Sequence, residues 1–371
     1  MRAAGYRHIA RPEPYGRHRE AVVPVTDLYQ DGKLLTPARH PNDGWLKVED
    51  FGSQGDKWLK TSLDDFRIWA AEPDLMATGF WHALWADFTT TVTNVDMESG
   101  ALAVCLPGWI HPKKGCPFFL LNALCALDAP GEWFIDSRCG ILYVWPRGDE
   151  SCSTFTLTSF DGLFLKVSSV HDVRVEGIAF QNGRGTGVEF SGCRETVFAG
   201  NVVRNFGGNG MNAHRMANTT IRDNVFRTFG HGALEVSGGD RRTLAHSGNV
   251  VSNNEFSDIG NRRRTYAPHL HLAGAGAEVS FNHFSKSPSS AMRLEGNDFL
   301  IVSNLVEDVL LESDDQGAVD IYFNASYFGN RYCYNTWKNI GRQTDRVPCG
   351  QAAIRFDGNI SGQTVVGLMI I

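Results

Sequence analysis

The chain of 371 residues is 42% hydrophobic and 20% charged, which is typical of a globular protein with one large domain or two. Its formal net charge is −6 and its longest basic run is Arg262-Arg263-Arg264, so a clustered cationic face for nucleic acid is not expected. No stretch approaches the ~20 apolar residues that a membrane-spanning helix requires. The arginine triplet is predicted to be a solvated loop.

Residues 1–20 are polar and rich in arginine and proline, and they are predicted to be a tail. Residues 21–150 hold eight of the nine tryptophans and short alternating runs separated by glycine turns. This pattern predicts a small antiparallel β domain with short helical turns near residues 63–71. Its tryptophans are expected mainly to fill a core, and the alternative is that some of them stack against sugar rings.

Cysteines are concentrated in the same region, with five of the eight between Cys105 and Cys152. Their spacing matches no paired metal-ligand pattern. One or two disulfides there and buried free thiols are both compatible with the sequence.

A periodic pattern begins after Gly148 and predicts that residues 151–371 form a right-handed parallel β-helix. Similar segments recur every 22 to 32 residues, which is the length of one β-helical coil. Equivalent residues of stacked coils lie ~4.8 Å apart, so side chains at one position can bond along the stack. The recurrent asparagines are therefore predicted to form a structural amide ladder: Asn201, Asn224, Asn254, Asn282 and Asn304.

A second strand in each coil alternates inward apolar residues with outward polar ones, so its outward residues should form columns. The first column reads Glu189, Asn212, Glu235, His271, Arg293, Asp320, Arg355. The second column reads Ser191, His214, Ser237, Ala273, Glu295, Tyr322, Asp357. Carboxylates, arginines, histidine and tyrosine without lysine suit a hydroxyl-rich sugar, either neutral or acidic.

The acidic segment from Leu311 to Tyr322, LESDDQGAVDIY, crowds four carboxylates at the start of one such strand. Glycoside cleavage needs two carboxyl groups, and the columns bring Asp315 and Asp357 to neighbouring coils. These two aspartates are the predicted catalytic pair. A separation of about 5 Å would imply retention of the anomeric configuration, and one of roughly 6.5–9.5 Å would imply inversion.

Substrate contacts are predicted from the residues around this pair: His269, His271, Arg293, Glu295, Asp320, Tyr322 and Arg355. His269 and His271 are both expected to point outward, but without a third ligand they are not assigned to a metal site. Alternatives remain for several acids. Glu312 and Asp314 suit a solvated turn, and Asp320, Arg293 and Arg355 suit a surface ion-pair ladder.

Two segments carry a family resemblance. Residues 127–136 (LDAPGEWFID) and 140–146 (GILYVWP) resemble the "LDxPGEWyxD…GxLYxwP" signature of β-helix proteins related to glycoside hydrolase family 141. Similar segments follow at 296–318 and 352–367. The resemblance implies a secreted-type glycosidase of plant or microbial polysaccharides, with fucosidase and xylanase activities in the family. Its two catalytic aspartates correspond to Asp315 and Asp357 of this chain.

The chain also departs from that family pattern. Phe323-Asn324-Ala325-Ser326 replaces "GRDW", a histidine is missing near Ser289, and Gly358 replaces the second aspartate of "LDD". Relatives begin with an earlier β-helical segment and continue further, so one interpretation is a partial domain truncated at its C-terminus. An extracellular location is favoured by the resemblance alone, because residues 1–20 have no apolar signal core.

The leading hypothesis is a glycoside hydrolase that acts on a fucoside- or xyloside-containing glycan, as a monomer without cofactor or metal. Its expected partner is a carbohydrate, with no nucleic acid and no membrane. One alternative is a polysaccharide lyase, with Arg or Lys as the base and Ca²⁺ on an acidic cluster. Another is a non-catalytic glycan-binding β-helix.

Overall fold

The structure is a computed structural model that describes residues 15–16, 26–52, 57–341 and 350–371. It divides into two compact units, residues 1–158 and 159–371. Apart from Tyr15 and Gly16, the predicted polar tail lies outside the described residues. The α-helix of the described part has five residues, so no described helix could cross a membrane.

The first unit is an antiparallel β domain, as the sequence predicted, and its helix falls within the expected 63–71 region. Its elements are β1 (Tyr15–Gly16), β2 (Leu28–Gln30), β3 (Lys33–Leu34), β4 (Thr36–Pro37), β5 (Arg39–His40), β6 (Leu46–Lys47), β7 (Asp50–Gly52), β8 (Trp58–Lys60), α1 (Phe66–Ala70), β9 (Met76–Gly79), β10 (Phe88–Asp96), β11 (Ala101–Val104), β12 (Pro117–Leu121), β13 (Glu132–Asp136), β14 (Ile141–Val144) and β15 (Phe155–Leu157). Two 3₁₀ turns span Leu124–Ala126 and Glu150–Cys152.

Nine strands of this unit form one sheet in the order β5-β12-β9-β10-β11-β8-β7, with β1 beside β10 and β6 beside β12. Two three-stranded sheets, β14-β13-β4 and β15-β2-β3, complete the unit. Trp69, Trp81 and Trp133 are buried, whereas Trp109 and Trp145 are 47% and 46% exposed. The core interpretation of the tryptophans therefore holds for only part of them.

The LDAPGEW segment has a structural explanation. The buried carboxylate of Glu132 accepts hydrogen bonds from the backbone N–H groups of Asp128, Ala129 and Arg39 at 3.1, 3.1 and 3.3 Å. Gly131 has a φ of 93°, which a side chain would oppose. This motif shapes a turn, and its role in the fold does not depend on catalysis.

The second unit is the predicted right-handed parallel β-helix, with eight coils of three strands each. In chain order the strands are β16 (Leu165–Ser168), β17 (Arg174–Glu176), β18 (Ala179–Gly183), β19 (Val188–Ser191), β20 (Val197–Ala199), β21 (Val202–Phe206), β22 (Met211–Met216), β23 (Thr220–Arg222), β24 (Val225–Phe229), β25 (Leu234–Gly238), β26 (Val250–Ser252), β27 (Glu255–Ser257), β28 (Leu270–Ala275), β29 (Glu278–Ser280), β30 (His283–Ser285), β31 (Met292–Asn297), β32 (Leu300–Val302), β33 (Leu305–Val309), β34 (Gln316–Tyr322), β35 (Arg331–Cys333), β36 (Thr336–Ile340), β37 (Gln351–Asp357), β38 (Thr364–Val366) and β39 (Met369–Ile370).

The first, second and third strands of the coils form sheet 1, sheet 2 and sheet 3, each eight-stranded and parallel. Apolar side chains of equivalent strands stack inside the solenoid. The Phe256 ring lies 5.0 Å from that of Phe226 and 4.9 Å from that of Phe284, with the planes within 9° of parallel. Burying such a side chain stabilises the fold by about 1.5–3 kcal/mol.

The asparagine ladder is confirmed and continues to Asn335. Asn254 is representative, because its side-chain oxygen accepts from the Asn224 N–H at 3.0 Å and from the Asn224 amide at 2.9 Å. Its own amide donates to Ile221 O at 3.0 Å and to Asn282 Oδ1 at 2.9 Å. The residue before each ladder asparagine, such as Asn253 with a φ of 52°, makes the corner between sheets 2 and 3.

Two expectations about burial change, and the open question about the cysteines is answered for the described residues. Arg262 is buried, so the arginine triplet is not simply a solvated loop. Phe356 of the last described coil lies between Arg355 and Asp357, so the alternation predicts that it points inward, but it is 40% exposed and its ring lies 5.9 Å from that of Tyr332. The seven cysteines within the described residues are free thiols, and Cys349 lies outside them.

Candidate active site

The outward face of sheet 1 carries the candidate site, and its register confirms the first predicted column. Each member pairs with the next, from Glu189 opposite Asn212 to Asp320 opposite Arg355. Ala273 pairs with Glu295, and Tyr322 pairs with Asp357 in the second column. The polar side chains of β31, β34 and β37 are therefore neighbours across adjacent strands.

The acidic corner before β34 is held by backbone bonds to the preceding coil. The N–H groups of Glu312 and Ser313 donate to Pro288 O at 3.1 and 2.9 Å. Asp314 is buried and accepts from the backbone N–H groups of Asp315 and Gly350 at 2.7 and 3.0 Å. Asp314 is therefore a turn residue, as one of the two interpretations predicted, but it is buried and not solvated.

Glu312 is also paired. Its carboxylate receives the Arg264 guanidinium at 2.5 and 2.6 Å. Neither residue is fully exposed, so Glu312 ties the arginine-containing loop to the acidic corner. It stands apart from the ion pairs of Asp315.

Gln316, which the sequence did not single out, fixes the start of β34. Its side-chain oxygen accepts from the hydroxyls of Ser289, Ser290 and Ser313 at 2.8, 3.3 and 3.1 Å. All four residues are buried. Ser289 therefore has a structural role at the position where the resemblance led us to expect a histidine nearby. A glutamine in an apolar strand gives no sequence signal for such a cluster.

Arg355 brings the two predicted catalytic aspartates together. Its Nη2 lies 2.5 Å from Asp315 Oδ1 and 3.3 Å from Asp357 Oδ2. Because both oxygens contact one nitrogen atom, Asp315 Oδ1 and Asp357 Oδ2 are at most about 6 Å apart. The Asp315 and Asp357 side chains remain 31% and 26% exposed, so both can be reached from solvent.

Asp315 adopts a left-handed backbone conformation, with a φ of 58°. Aspartate and asparagine tolerate this region better than most residues, because their short polar side chains can bond locally. The conformation turns the chain sharply just before β34. It explains why Asp315 leaves the regular alternation of the strand, which the sequence could not fix.

A second ionic cluster lies one coil back. Arg293 Nε donates to Glu295 Oε1 at 2.8 Å, and its Nη1 lies 3.4 Å from Asp320 Oδ2. His271 Nε2 lies 3.5 Å from the same Glu295 oxygen. The His271 contact and the Arg293 hydrogen bond lower the pKa of Glu295 from 4.5 to about 2.

Asp320 differs from the other acids because it is only 3% exposed. Burial raises its pKa, although the nearby Arg293 and Arg355 charges oppose that rise. Its closest hydrogen-bond donor in its own strand is the Gly317 N–H at 3.4 Å. The surface-ladder interpretation is therefore wrong for Asp320, which is buried among the arginines.

Aromatic rings flank these charges. The Arg293 guanidinium carbon lies 5.2 Å from the Tyr266 ring centroid and 5.8 Å from that of Tyr322. Tyr322 is 46% exposed and its ring contacts the more exposed Phe323 at 5.3 Å. Tyr266 and Phe323 were not predicted, since neither belongs to an outward column. Together with Tyr322 they offer apolar surface beside the carboxylates.

His269 does not belong to this face, so its expected outward orientation is wrong. It is fully buried, its Nε2 lies 2.8 Å from Ser285 O, and its ring contacts Phe256 and Phe284. It precedes the first residue of β28, where the corner breaks the alternation that places His271 outside. Burial lowers the pKa of His269 to about 3, so the neutral ring is a core residue.

The depressed pKa of Glu295 gives a testable pH dependence. A carboxylate with a lowered folded-state pKa stabilises the protein above its ordinary pKa, and this stabilisation is lost as pH falls toward the folded value. We expect Glu295→Gln to reduce the free energy of unfolding at pH 7, and the difference from wild type to shrink below pH 4.5. Urea unfolding followed from pH 7 to pH 3 measures it.

Glu278→Gln is the matched control, because Glu278 lies on sheet 2, away from the ion pairs of Glu295. The difference in free energy of unfolding between Glu278→Gln and wild type should not shrink in the same way as the pH falls. A Glu295→Gln difference that stays constant down to pH 3 would contradict the assigned pKa shift.

The fold and site define the class of protein: a right-handed parallel β-helix protein whose sheet 1 presents a cluster of carboxylates, arginines and aromatic rings. The family model described as a right-handed β-helix region matches residues 149–304. The model described as the GH141 insertion domain matches residues 106–147. These matches confirm the resemblance to the β-helix proteins of glycoside hydrolase family 141.

One solved structure supports the fold, and a second is reported as a weaker likeness. A structure titled "Glycoside hydrolase" has 13% sequence identity and a TM-score of 0.57, with 92% of this chain and 77% of that chain covered. The A-module of the mannuronan C-5 epimerase AlgE4 from Azotobacter vinelandii has 14% identity and a TM-score of 0.40, with 54% and 56% covered. Comparison with curated proteins gave no match. At 13% identity the first of these structures shows the fold alone.

Proposed function

We propose that this protein is a retaining glycoside hydrolase with Asp315 and Asp357 as its catalytic carboxylates. The observation that carries the proposal is their contact with one nitrogen of Arg355, while both stay open to solvent. A retaining enzyme needs two carboxyl groups about 5–5.5 Å apart, which leaves no room for the water that inversion requires. The geometry is compatible with that separation.

The two contacts with Arg355 suggest different roles. Asp315 has the shorter ion pair, so it is best held as the anion that attacks the anomeric carbon. Asp357 has the longer contact and lies beside the exposed Tyr322, where a protonated carboxyl would donate its proton to the leaving oxygen. In the second step Asp357 takes a proton from water, and that water releases the sugar from Asp315.

Arg355 contacts both carboxylates of the proposed site. A sugar that enters between the carboxylates replaces the longer Asp357 contact first, because that contact is the weaker of the two. The guanidinium can then donate to a sugar hydroxyl while it keeps Asp315 in position. Arg355 is in this proposal a substrate contact as well as a positioning residue.

The other residues predicted to contact the substrate differ in how exposed they are. Tyr322 provides a ring face for the sugar, and His271, Arg293 and Glu295 provide hydrogen-bond donors and acceptors near it. Asp320 is too deeply buried to reach a sugar, so we assign it to the positioning of Arg293 and Arg355. The family resemblance favours a fucoside or xyloside as the substrate.

The direct test is hydrolysis of p-nitrophenyl fucosides and xylosides, with the anomeric configuration of the first-formed sugar followed by NMR. We expect release of nitrophenol with retained configuration. An inverted product would contradict the retaining assignment. On a uronate-containing polysaccharide, an unsaturated product that absorbs in the ultraviolet would instead identify a lyase.

A further inference from the structure

The first unit holds an exposed aromatic cluster that the catalytic proposal does not use. It is formed by the loop between β9 and β10, residues 80–87, and the loop between β11 and β12, residues 105–116. β9 pairs with both β10 and β12, and Gly79 at its end is opposite Phe88 in one neighbour and Phe118 in the other. The two loops therefore lie at the same end of these neighbouring strands.

Two indole rings of these loops contact one imidazole ring. The His82 ring lies 5.8 Å from that of Trp85 and 5.7 Å from that of Trp109, with interplanar angles of 73° and 82°. We call His82, Trp85 and Trp109 the aromatic corner. Trp109 is 47% exposed, and the other two are partly buried. The half-exposed Trp109 therefore presents apolar ring surface to solvent.

A lysine of low exposure holds the loop that presents Trp109. Lys57 is 9% exposed, and its ammonium donates to Pro107 O, to Gly108 O at 3.3 Å and to Ile110 O at 2.5 Å. Burial lowers the pKa of Lys57. Placing an ammonium in this environment costs free energy, and here it satisfies the carbonyls on both sides of an exposed tryptophan.

The loop of residues 80–87, which carries His82 and Trp85, is also held in place. Trp81, next to His82, is fully buried, and its indole N–H donates to Phe88 O at 2.7 Å. The Lys113 N–H donates to Trp81 O at 2.9 Å, which ties the second loop to the first. The aromatic corner is therefore set in place before any ligand binds, which reduces the entropy cost of binding.

We propose that the aromatic corner is a binding site for a neutral polysaccharide strand, with a sugar ring stacked on the exposed face of Trp109. A pyranose ring presents axial C–H groups to an indole and hydroxyls at its rim, where His82 can take part in hydrogen bonding. Residues 106–116 of the presenting loop lie within 106–147, the segment matched by the GH141 insertion-domain model. A protein partner fits less well, because one half-exposed indole is far smaller than the roughly 800 Å² per partner of a stable interface.

The aromatic corner does not include Asp315 or Asp357. Its binding is therefore tested in the Asp315→Asn variant of the whole chain, which is expected not to hydrolyse the glycan. Native gels cast with soluble xylan or with mixed-linkage β-glucan measure retardation. We expect at least one of these two glycans to retard the protein, and Trp109→Ala to weaken that binding by about tenfold, as loss of an aromatic platform predicts. Trp145→Ala is the matched control, since Trp145 is 46% exposed in the same unit.

A Lys57→Met variant tests whether the hydrogen bonds from Lys57 to the loop carrying Trp109 contribute to binding. It keeps the aliphatic stem and loses the bonds to the loop carbonyls, so we expect weakened binding with Trp109 still present. Circular dichroism checks that the β structure of each variant is retained. Unchanged binding in Trp109→Ala, an equal loss in Trp145→Ala, or no retardation of the parent protein by either glycan would overturn the proposal.

Two further measurements distinguish binding at the aromatic corner from other reasons for retardation in the gels. Gels with polygalacturonate report binding through the exposed Lys113 and Lys114; retardation by that polymer alone, abolished by salt, would also overturn the proposal. Hydrolysis of p-nitrophenyl glycosides should be unaffected by Trp109→Ala in the otherwise wild-type chain. Retained glycan binding without any hydrolysis would refute the catalytic proposal and leave the aromatic corner standing.

Discussion

Asp315→Asn and Asp357→Asn are each expected to lower kcat on a p-nitrophenyl glycoside by about a thousandfold or more while the protein stays folded. Loss of the nucleophile stops formation of the glycosyl-enzyme, and loss of a general acid alone typically costs 10²–10⁴-fold. Initial rates with the proposed fucoside and xyloside substrates measure the effect. Circular dichroism and thermal unfolding of the same samples report the fold.

The backbone at Asp315 makes this a clean substitution. With a φ of 58°, the position accepts asparagine without added strain, and asparagine can still bond to Arg355. Asp223→Asn is the matched control, because Asp223 has a φ of 59°, an ion pair with Arg222, and a position at the corner between sheets 2 and 3. Its activity should equal that of wild type. Full activity in Asp315→Asn or in Asp357→Asn would refute the proposed pair.

Azide distinguishes the two carboxylates. We expect Asp315→Gly, whose glycine suits the positive φ, to form a glycosyl azide of inverted configuration, since azide replaces the nucleophile in one displacement. Asp357→Ala should instead give a glycosyl azide of retained configuration, because azide then attacks the covalent intermediate. The opposite pattern would exchange the two roles.

Asn254→Ala is expected to destabilise the β-helix by roughly 3 kcal/mol or more, the largest stability effect that we expect of a single substitution in the ladder. Asn254 is 2% exposed, and its side chain makes four hydrogen bonds with Asn224, Ile221 and Asn282. Each buried group left without a partner costs about 1–3 kcal/mol, and alanine would leave several. Urea unfolding of the full chain, followed by circular dichroism, measures the change.

Asn253→Gly provides the neighbouring control. Asn253 is exposed, has a φ of 52° and makes one side-chain bond, from its amide to Asp223 Oδ1 at 2.7 Å. Glycine keeps this backbone conformation, so the expected change is within about 1 kcal/mol. If Asn253→Gly and Asn254→Ala were equally destabilising, the ladder would have no special importance.

The sequence predicted the β-helix because its repeat has a direct physical cause. Strands of stacked coils are spaced as in any sheet, so a residue type that recurs once per coil becomes a column. This reasoning identified the ladder from Asn201 to Asn304 and the column from Glu189 to Arg355. It also identified the neighbours Asp315 and Asp357, for which the family resemblance gave independent support.

Residues near corners were predicted less well. His269 and Asp314 were expected outside but are buried, because each lies where the chain turns and the alternation of a strand no longer applies. Gln316 and Tyr266 were missed for a related reason. Their contacts come from other coils, and a single strand pattern contains no information about them.

The sequence by itself therefore determined the solenoid, the ladder and the sheet face on which the candidate site lies, since these follow from period and alternation. Only the tertiary structure decided that Arg355 contacts both catalytic candidates and that Asp320 is buried. It likewise decided that Lys57 braces the loop carrying Trp109. These features depend on the backbone of corners and loops and on long side chains that reach between segments, neither of which a repeat specifies.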